Sequence, residues 1–375
     1  MNTLNPSFSY KCALWQTVLK HSSAVLPYVK VLELGPPVFQ LRARDVNMCA
    51  KHWTEVVDRG LPSIHNECIE SILQGVIHVQ QVTLRFEYQS WGKFSPSFQR
   101  SIIDLLGRPS LSSLSVEDVV GFPIRILGSC KRLRDLSLIS VEEISDDYDP
   151  VYCRTSLEMT TGVRKGSLQS LTLFASDGCS TSLDCILTAH DSGIMVSSLQ
   201  RLSVNMTGSD GQLALIKLSH SASSITTLEL RLSDHIGHKF CSLGDFPELR
   251  ILKLSISYDS FRPLHVLALF LSKSQPAKKL AEISIHLRLD AENFERSSQE
   301  LTRICSNKDW QLVQQTLIME AAFPSLSKLN IVFRPKDVAT FISDYLNLSL
   351  NLCLLKSMPT LYAQTHPKID IYDGT

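Results

Sequence analysis

One short stretch of the sequence carries residue types that bind zinc. In "DHIGHKFC", His235, His238 and Cys241 follow one another at three-residue intervals, and Asp234 precedes the first of them. Imidazole nitrogen and thiolate sulfur are good zinc ligands, but a closed site also needs a distant Cys or His pair to complete four ligands. Gly237 disfavours the helix that would align the three side chains. We therefore interpret the stretch as a loop and predict no metal and no cofactor.

The sequence contains none of the short motifs that indicate a catalytic or nucleotide-binding site. It has no Gly-x-Gly-x-x-Gly, no Gly-x-x-x-x-Gly-Lys, no Gly-x-Ser-x-Gly and no His-Glu-x-x-His. Its ten cysteines include no Cys-x-x-Cys pair, so they resemble small buried apolar residues rather than a disulfide framework. We predict no catalytic residues and a protein that is not an enzyme.

Charge and hydropathy argue against two classes of partner. The chain has 37 basic and 37 acidic residues, so no overall field attracts nucleic acid or an anionic membrane. The longest apolar run, about eight residues, is far shorter than the ~20 residues that cross a bilayer. The first residues lack the pattern of a secretory signal. We expect a cytoplasmic or nuclear protein that binds neither nucleic acid nor membrane.

A repeated phrase predicts how the chain is built. Residues 167–176, "SLQSLTLFAS", and 198–207, "SLQRLSVNMT", share the pattern apolar-x-x-apolar-x-apolar, whose apolar positions we number places one, four and six. The fifth place is polar in every copy and the second in nine of ten, which is more regular than chance allows. The ten copies are Val29/Leu32/Leu34, Val79/Val82/Leu84, Leu111/Leu114/Val116, Leu133/Leu136/Leu138, Leu168/Leu171/Leu173, Leu199/Leu202/Val204, Ile225/Leu228/Leu230, Leu249/Leu252/Leu254, Leu280/Ile283/Ile285 and Leu326/Leu329/Ile331.

Each copy predicts one strand, and the segments between copies predict helices. Because side chains alternate along a strand, places four and six should face a core, and places three, five and seven should face away from it. Between copies the apolar residues recur with helical period instead. These residues are Ile69, Ile72, Leu73 and Val76 in one segment, Phe98, Ile102, Leu105 and Leu106 in the next, and Leu264, Leu267, Ala268 and Leu271 in a third.

Strand, turn, helix, turn is then the repeating unit. The inner copies start 22 to 35 residues apart. These spacings overlap the 20–29-residue length of leucine-rich repeats and extend beyond it. We predict an irregular α/β leucine-rich-repeat-like solenoid, with a parallel sheet on the concave side and helices on the convex side. We expect a single domain over residues 1–375, with an N-terminal helical cap at 1–28, a helical insertion at 290–323 and a C-terminal cap at 336–375.

Two further features of the repeat are less regular. A weaker eleventh copy is "HPKIDI", residues 366–371. The ninth place, which is Asn or Cys in regular repeats, is a hydroxyl residue in four consecutive copies. We expect these hydroxyls to satisfy part of the backbone in the turns. The four residues are Ser176, Thr207, Ser233 and Ser257.

The outward places of the central copies predict a binding face for another protein. Arginine and aromatic residues are enriched where interfaces gain most of their energy, which favours Phe174, Arg201 and Arg231. Arg201, Arg231 and Lys253 come from consecutive strands, so we expect this face to favour an acidic or phosphorylated segment. A solvated sheet surface has a similar composition, and that interpretation stays open. The predicted face comprises Phe174, Arg201, Asn205, Glu229, Arg231, Lys253 and His286.

Four stretches resemble a known family. "FPIRILGSCKRLRDLSLISV", residues 122–141, and the preceding "FQRSIIDLLGRPSLSSLSVEDVVG" resemble the repeats of the large fungal family of F-box and leucine-rich-repeat proteins. "HSSAVLPYVKVLELGPP", residues 21–37, and "FPELRILKLSI", residues 246–256, are similar to the same family's strand starts. The resemblance implies a substrate-recognition module of a cullin-type ubiquitin ligase.

The F-box itself is not recognisable in this sequence. In that family the F-box is a three-helix segment that begins with Leu-Pro, precedes the repeats and docks on a Skp-type adaptor. Only 28 residues precede the first copy here, and we interpret "LPSIHNECIESIL", residues 61–73, as a repeat helix. We therefore expect no adaptor docking. Two alternatives stay open, namely a leucine-rich-repeat scaffold with no ubiquitin role and an enzyme without a recognisable motif.

Overall fold

The chain divides into two compact units in a computed structural model. Unit one comprises Met1–Leu168 and Thr181–Met195, and unit two comprises Gln169–Ser180 and Val196–Thr375. Each unit contains helices and parallel strands, which confirms the α/β class and the parallel pairing. The structure describes residues 3–4, 23–34, 70–142, 166–174, 194–205, 209–232, 242–257, 263–273, 277–289, 309–318, 323–335 and 368–371.

Unit one contains a parallel sheet whose strands follow one another in chain order. Its strands are β1 (Thr3–Leu4), β2 (Val31–Leu34), β3 (Gln81–Ser90), β4 (Ser113–Val120) and β5 (Asp135–Glu142). A separate parallel pair joins β6 (Gly166–Ser167) and β8 (Ile194–Met195). The described helices are 70–75 and Pro96–Leu106, with 3-10 turns at Ser23–Tyr28, Trp91–Lys93 and Ile124–Ser129.

Unit two repeats this arrangement over more strands, again in chain order and again parallel. Its strands are β7 (Ser170–Phe174), β9 (Arg201–Asn205), β10 (Thr227–Leu232), β11 (Ile251–Ser257), β12 (Glu282–Leu289), β13 (Lys328–Pro335) and β14 (Lys368–Ile371). The described helices are Ser209–Ser221, Pro263–Lys273 and Asp309–Ile318, with a 3-10 turn at Leu243–Asp245.

The repeat places are aligned across the strands, and the predicted inward orientation of places four and six is confirmed. All fourth- and sixth-place side chains are buried, with at most 6 % of their surface exposed. The weaker eleventh copy forms β14, but it is displaced by two residues, since Ile369 lies opposite the sixth-place Ile331. In unit one the paired fourth-place residues are Leu32, Val82, Leu114 and Leu136. In unit two they are Leu171, Leu202, Leu228, Leu252, Ile283 and Leu329.

The predicted helical faces are also buried. The helix Pro96–Leu106 begins after Ser95, whose hydroxyl accepts a hydrogen bond from the Phe98 N–H at 3.2 Å. Proline at the first helical position and serine before it are typical helix starts. Of the twelve apolar residues predicted to face inward, Ile69 lies outside the described residues, and the other eleven are buried.

The two predicted caps and the insertion are described only in part. Within 1–28, a 3-10 turn covers Ser23–Tyr28, but Thr3 and Leu4 form a strand where a helical cap was expected. This strand pairs with Val31 and Leu32 and so covers the exposed edge of β2. The helix Asp309–Ile318 lies within the predicted insertion and packs on the helix Pro263–Lys273.

Within each unit, consecutive copies are joined at their strand starts by the same backbone hydrogen bonds. The second-place carbonyl of one copy accepts two N–H groups of the next, as Gln80 accepts from Ser112 at 2.9 Å and from Ser113 at 3.0 Å. The side-chain hydroxyls of Ser112, Thr226 and Ser327 donate to the same preceding carbonyls at 3.2 to 3.4 Å. In these three copies the polar second-place residue adds a side-chain donor to the shared carbonyl.

A further place, apolar in most copies, lies three residues before the first place. The first-place N–H donates to the carbonyl of this residue in most copies, as Leu249 donates to Phe246 at 3.1 Å, which closes a turn before the strand. This place was not predicted, although most copies have an apolar residue there. Its buried members are Leu26, Val76, Cys130, Ala222, Phe246, Ala277 and Phe323.

Arg108 occupies the same place before the third copy, but its side chain binds the end of a helix. Its guanidinium donates to the carbonyls of Leu73, Gln74 and Val76, which end the helix 70–75. These carbonyls form the negative end of the helix dipole, where a cation is favoured. Burial holds the pKa of Arg108 below its usual value, and the Asp104 carboxylate opposes this effect. Arg108 therefore caps a helix of the preceding repeat.

Removal of this cap should be measurable. We expect Arg108→Ala to lower the free energy of unfolding by about 2 kcal/mol, because three carbonyls lose a charged donor. Arg108→Lys keeps the charge without the forked geometry and should recover only part of the loss. Urea denaturation of the three proteins gives the comparison. An Arg108→Ala protein as stable as the wild type would contradict the capping role.

Two residues of unit one change the alternation of their strands. Asp118 and Ser140 have φ angles of 55° and 50°, a left-handed conformation that side chains disfavour. Each shifts the pattern by one residue, so that Val119 and Val141, at the ninth place, point inward and are buried. The strands β10, β11 and β12 of unit two instead keep alternating, with buried eighth-place residues Leu232, Ile256 and Leu287. The side chains of the four predicted ninth-place hydroxyls lie outside the described part of the chain.

An aromatic cluster closes the end of β3 in unit one. Trp91 is buried and packs edge-to-face on Phe122 with ring centres 5.2 Å apart, and on Phe86 at 6.1 Å. Phe94 contacts Trp91 at 6.0 Å and Phe98 at 5.2 Å, so the cluster reaches the first turn of the following helix. Aromatic pairs in such geometry add stability beyond the area they bury.

Candidate protein-binding face

The predicted binding residues lie on one face of the unit-two sheet, here called the outward face. It consists of the third, fifth and seventh places of β7 and of β9 to β13, opposite to the buried fourth and sixth places. Parallel pairing sets these places into rows that cross the strands. All seven predicted residues, Phe174, Arg201, Asn205, Glu229, Arg231, Lys253 and His286, occupy such places.

The fifth-place row carries the first group of candidate residues. Glu229 of β10 lies directly between Ser203 of β9 and Lys253 of β11, and Lys253 is in turn opposite Ser284. The Glu229 and Lys253 side chains are both partly exposed. A carboxylate and an ammonium group are therefore cross-strand neighbours at the middle of the face, where they offset each other's charge.

The third- and seventh-place rows carry the two arginines. Arg201 stands in the third row opposite Thr227, and Arg231 stands in the seventh row between Asn205 and Ser255. Both arginines are exposed. The seventh row continues from Ser255 to His286. Phe174, partly exposed, ends β7 directly after the last paired residue of that strand.

The three cations form a triangle on the face. With strands about 4.8 Å apart and a rise of about 3.3 Å per residue, the Cα atoms of Arg201 and Arg231 are about 14 Å apart. Lys253 is about 8 Å from Arg231 and about 12 Å from Arg201 on the same basis. Among the described residues, no side-chain hydrogen bond or ion pair involves Glu229, Arg231 or Lys253. These three charged side chains therefore have no partner in the described part of the fold.

The neighbouring strands β12 and β13 carry charges that are used by the fold. Glu282 accepts from Lys328 at 3.1 Å and from the Asn330 amide at 2.8 Å, and the same amide donates to Ser284 at 3.1 Å. The remaining Asn330 oxygen is buried, and no described residue donates to it. This hydrogen-bond network was not predicted from the sequence, although its residues occupy aligned third and fifth places. The candidate face therefore narrows to β9, β10 and β11.

The described residues offer little for other chemistry. No group of three or more His, Cys, Asp or Glu side chains among them is placed to hold a metal ion. The possible zinc ligands of the sequence, His235, His238 and Cys241, lie outside the described part of the chain. Burial raises the pKa of the Cys130 thiol to about 12, so it stays protonated and is a poor nucleophile at neutral pH. None of the described helices has the length and apolar character needed to cross a bilayer.

Comparison with known proteins adds no further assignment. No protein-family model matches the chain, and no curated protein matches it at a significant level.

Proposed function

We propose that this chain is a leucine-rich-repeat-like solenoid that recognises another protein through the outward face of unit two, on its concave side. The aligned repeat places support the proposal, because they present successive strands as one continuous surface of side chains. Solenoids of stacked repeats commonly bind partners on such a surface. In this proposal the helices lie on the convex side.

The observation that carries the proposal is the contrast between two parts of the same face. On β12 and β13 the charged residue Glu282 is paired with Lys328 and Asn330. On β10 and β11 the side chains of Arg231 and Lys253 have no hydrogen-bond or ion-pair partner among the described residues. Exposed arginine on a rigid sheet can bind a partner at a lower entropic cost than the same side chain on a mobile loop.

We further propose two versions of this function. In the first, the partner is a protein that the chain recognises for ubiquitin transfer. In the second, the same surface binds a partner in a scaffold that has no ubiquitin role. The first version rests on the resemblance of residues 122–141 and 246–256 to fungal F-box and leucine-rich-repeat proteins. Both versions share the binding face and differ in whether a Skp-type adaptor accompanies the chain.

The test is a quantitative affinity purification from the native cell. The triple variant Arg201→Ala, Arg231→Ala and Lys253→Ala should lose specific protein partners by about tenfold, since exposed ion pairs contribute up to about 1 kcal/mol each. The matched control, Arg250→Ala, Lys278→Ala and Lys279→Ala, removes the same charge from exposed positions that precede β11 and β12, away from the face.

Each outcome of this purification decides one part of the proposal. Partners kept by the control and lost by the triple variant would support the face. Partners unchanged in the triple variant would place binding elsewhere. Recovery of a Skp-type adaptor with the wild type would show that the chain docks on a ligase after all. Circular dichroism of both variants establishes that they remain folded.

A further inference from the structure

The charges of the outward face have an order that narrows the partner beyond a general preference for acidic segments. The third row presents Arg201 on β9, the fifth row presents Glu229 on β10 beside Lys253 on β11, and the seventh row presents Arg231 on β10. The rows are two residues apart, or about 6.6 Å. From the third to the seventh row the order is therefore cation, compensated pair, cation, along a line that crosses obliquely from β9 to β10.

An extended peptide has the same period as these rows. Successive side chains on one side of an extended segment are two residues apart, so residues i, i+2 and i+4 can face three consecutive rows. Carboxylates at i and i+4 would then meet Arg201 and Arg231. The residue at i+2 would lie between Ser203 and Glu229, where a third carboxylate is repelled by Glu229.

We propose that the outward face of unit two binds an extended segment of a partner protein with two Asp or Glu residues four positions apart and a non-acidic residue midway. This inference rests on the proposed function, because it specifies the partner of the same face. It identifies the partner by carboxylate spacing, since charge-assisted hydrogen bonds from arginine to carboxylate are strong and directional.

A single phosphorylated residue fits this face less well. Strong recognition of one dianionic phosphate needs several cations that converge on it. Here the two arginines are about 14 Å apart at their Cα atoms, and Glu229 lies between their rows. Two separate monoanionic groups match that distribution better than one dianion.

The probes are four fluorescein-labelled peptides with the same Gly-Ser flanks. Their central sequences are Glu-Ser-Gln-Ser-Glu, Glu-Ser-Glu-Ser-Gln, Glu-Ser-Glu-Ser-Glu, and Gln-Ser-Gln-Ser-Gln with one central serine phosphorylated. Fluorescence anisotropy with the purified full chain measures their affinities. We expect the first peptide to bind most tightly and the third to gain no affinity from its extra charge.

Variants of the chain test the assignment of each row. Arg201→Glu with Arg231→Glu should weaken the first peptide by about tenfold, whereas the control Arg250→Glu with Lys278→Glu should leave it unchanged. Glu229→Gln should strengthen the third peptide relative to the first, because it removes the central repulsion. A fluorescence or circular dichroism unfolding curve for each variant confirms that it is folded.

Several results would overturn the inference. These are equal affinity for the first two peptides, tighter binding of the phosphorylated peptide, no saturable binding of any peptide, or no effect of the arginine reversals. If cellular partners are nevertheless lost by the triple alanine variant, the proposed function stands and only the spacing rule fails. If partners are unchanged in that variant, the proposed function itself fails.

Discussion

Leu228→Asp should unfold unit two, with a loss of at least about 4 kcal/mol in the free energy of unfolding. Leu228 is the fourth-place residue of β10, has no exposed surface, and lies between Leu202 and Leu252 in the sheet. A carboxylate there has no polar partner among the aligned apolar residues. The expected loss is comparable to the whole stability of a typical domain, about 5–15 kcal/mol.

The residue next to Leu228 in sequence provides the control. Glu229 faces outward and is partly exposed, so Glu229→Ala should change the free energy of unfolding by no more than about 0.5 kcal/mol. Urea denaturation followed by circular dichroism compares both variants with the wild type. Similar midpoints for the two variants would show that the inward and outward assignment is incorrect.

Trp91→Ala should lower the free energy of unfolding of unit one by about 3–5 kcal/mol. The indole ring packs against Phe86, Phe94 and Phe122, and only 6 % of the residue is exposed. Removal of the ring leaves a cavity among rigid aromatic neighbours, which cannot collapse fully into it. Trp91→Phe keeps part of the volume and should lose less.

An exposed aromatic residue of the same unit gives the comparison. Tyr28 is 68 % exposed, so Tyr28→Ala should have an effect within about 0.5 kcal/mol. Thermal denaturation of the Trp91 and Tyr28 variants under identical conditions ranks them. Equal losses at both sites would contradict a central role for the aromatic cluster in the stability of unit one.

Much of the strand and helix pattern could be predicted because buried positions recur with a regular period in the sequence. Fourth-place leucines and the buried face of Pro96–Leu106 follow directly from alternation and helical period. The left-handed residues Asp118 and Ser140 could not be predicted, because aspartate and serine are also common in ordinary extended and turn conformations. The two-residue strand at Thr3–Leu4 is too short to have a pattern of its own.

The sequence predicts which residues belong to the candidate face, but not how they are arranged relative to one another across the strands. Alternation alone places Arg201, Glu229 and Lys253 on one side of their strands. Their rows depend on register, and register between strands that are distant in sequence is set by the whole fold. For the same reason the Glu282 and Asn330 network, which joins residues 48 positions apart, was not predicted.

The shared carbonyl at each strand start has a consequence for the length of the connections. It fixes how one copy sits on the next through backbone atoms alone, so that the alignment does not depend on how many residues lie between them. Copies separated by 22 residues, at Leu111 and Leu133, and by 50 residues, at Val29 and Val79, are paired in the same register. The segments between copies can therefore differ in size and composition without changing the order of side chains on the face.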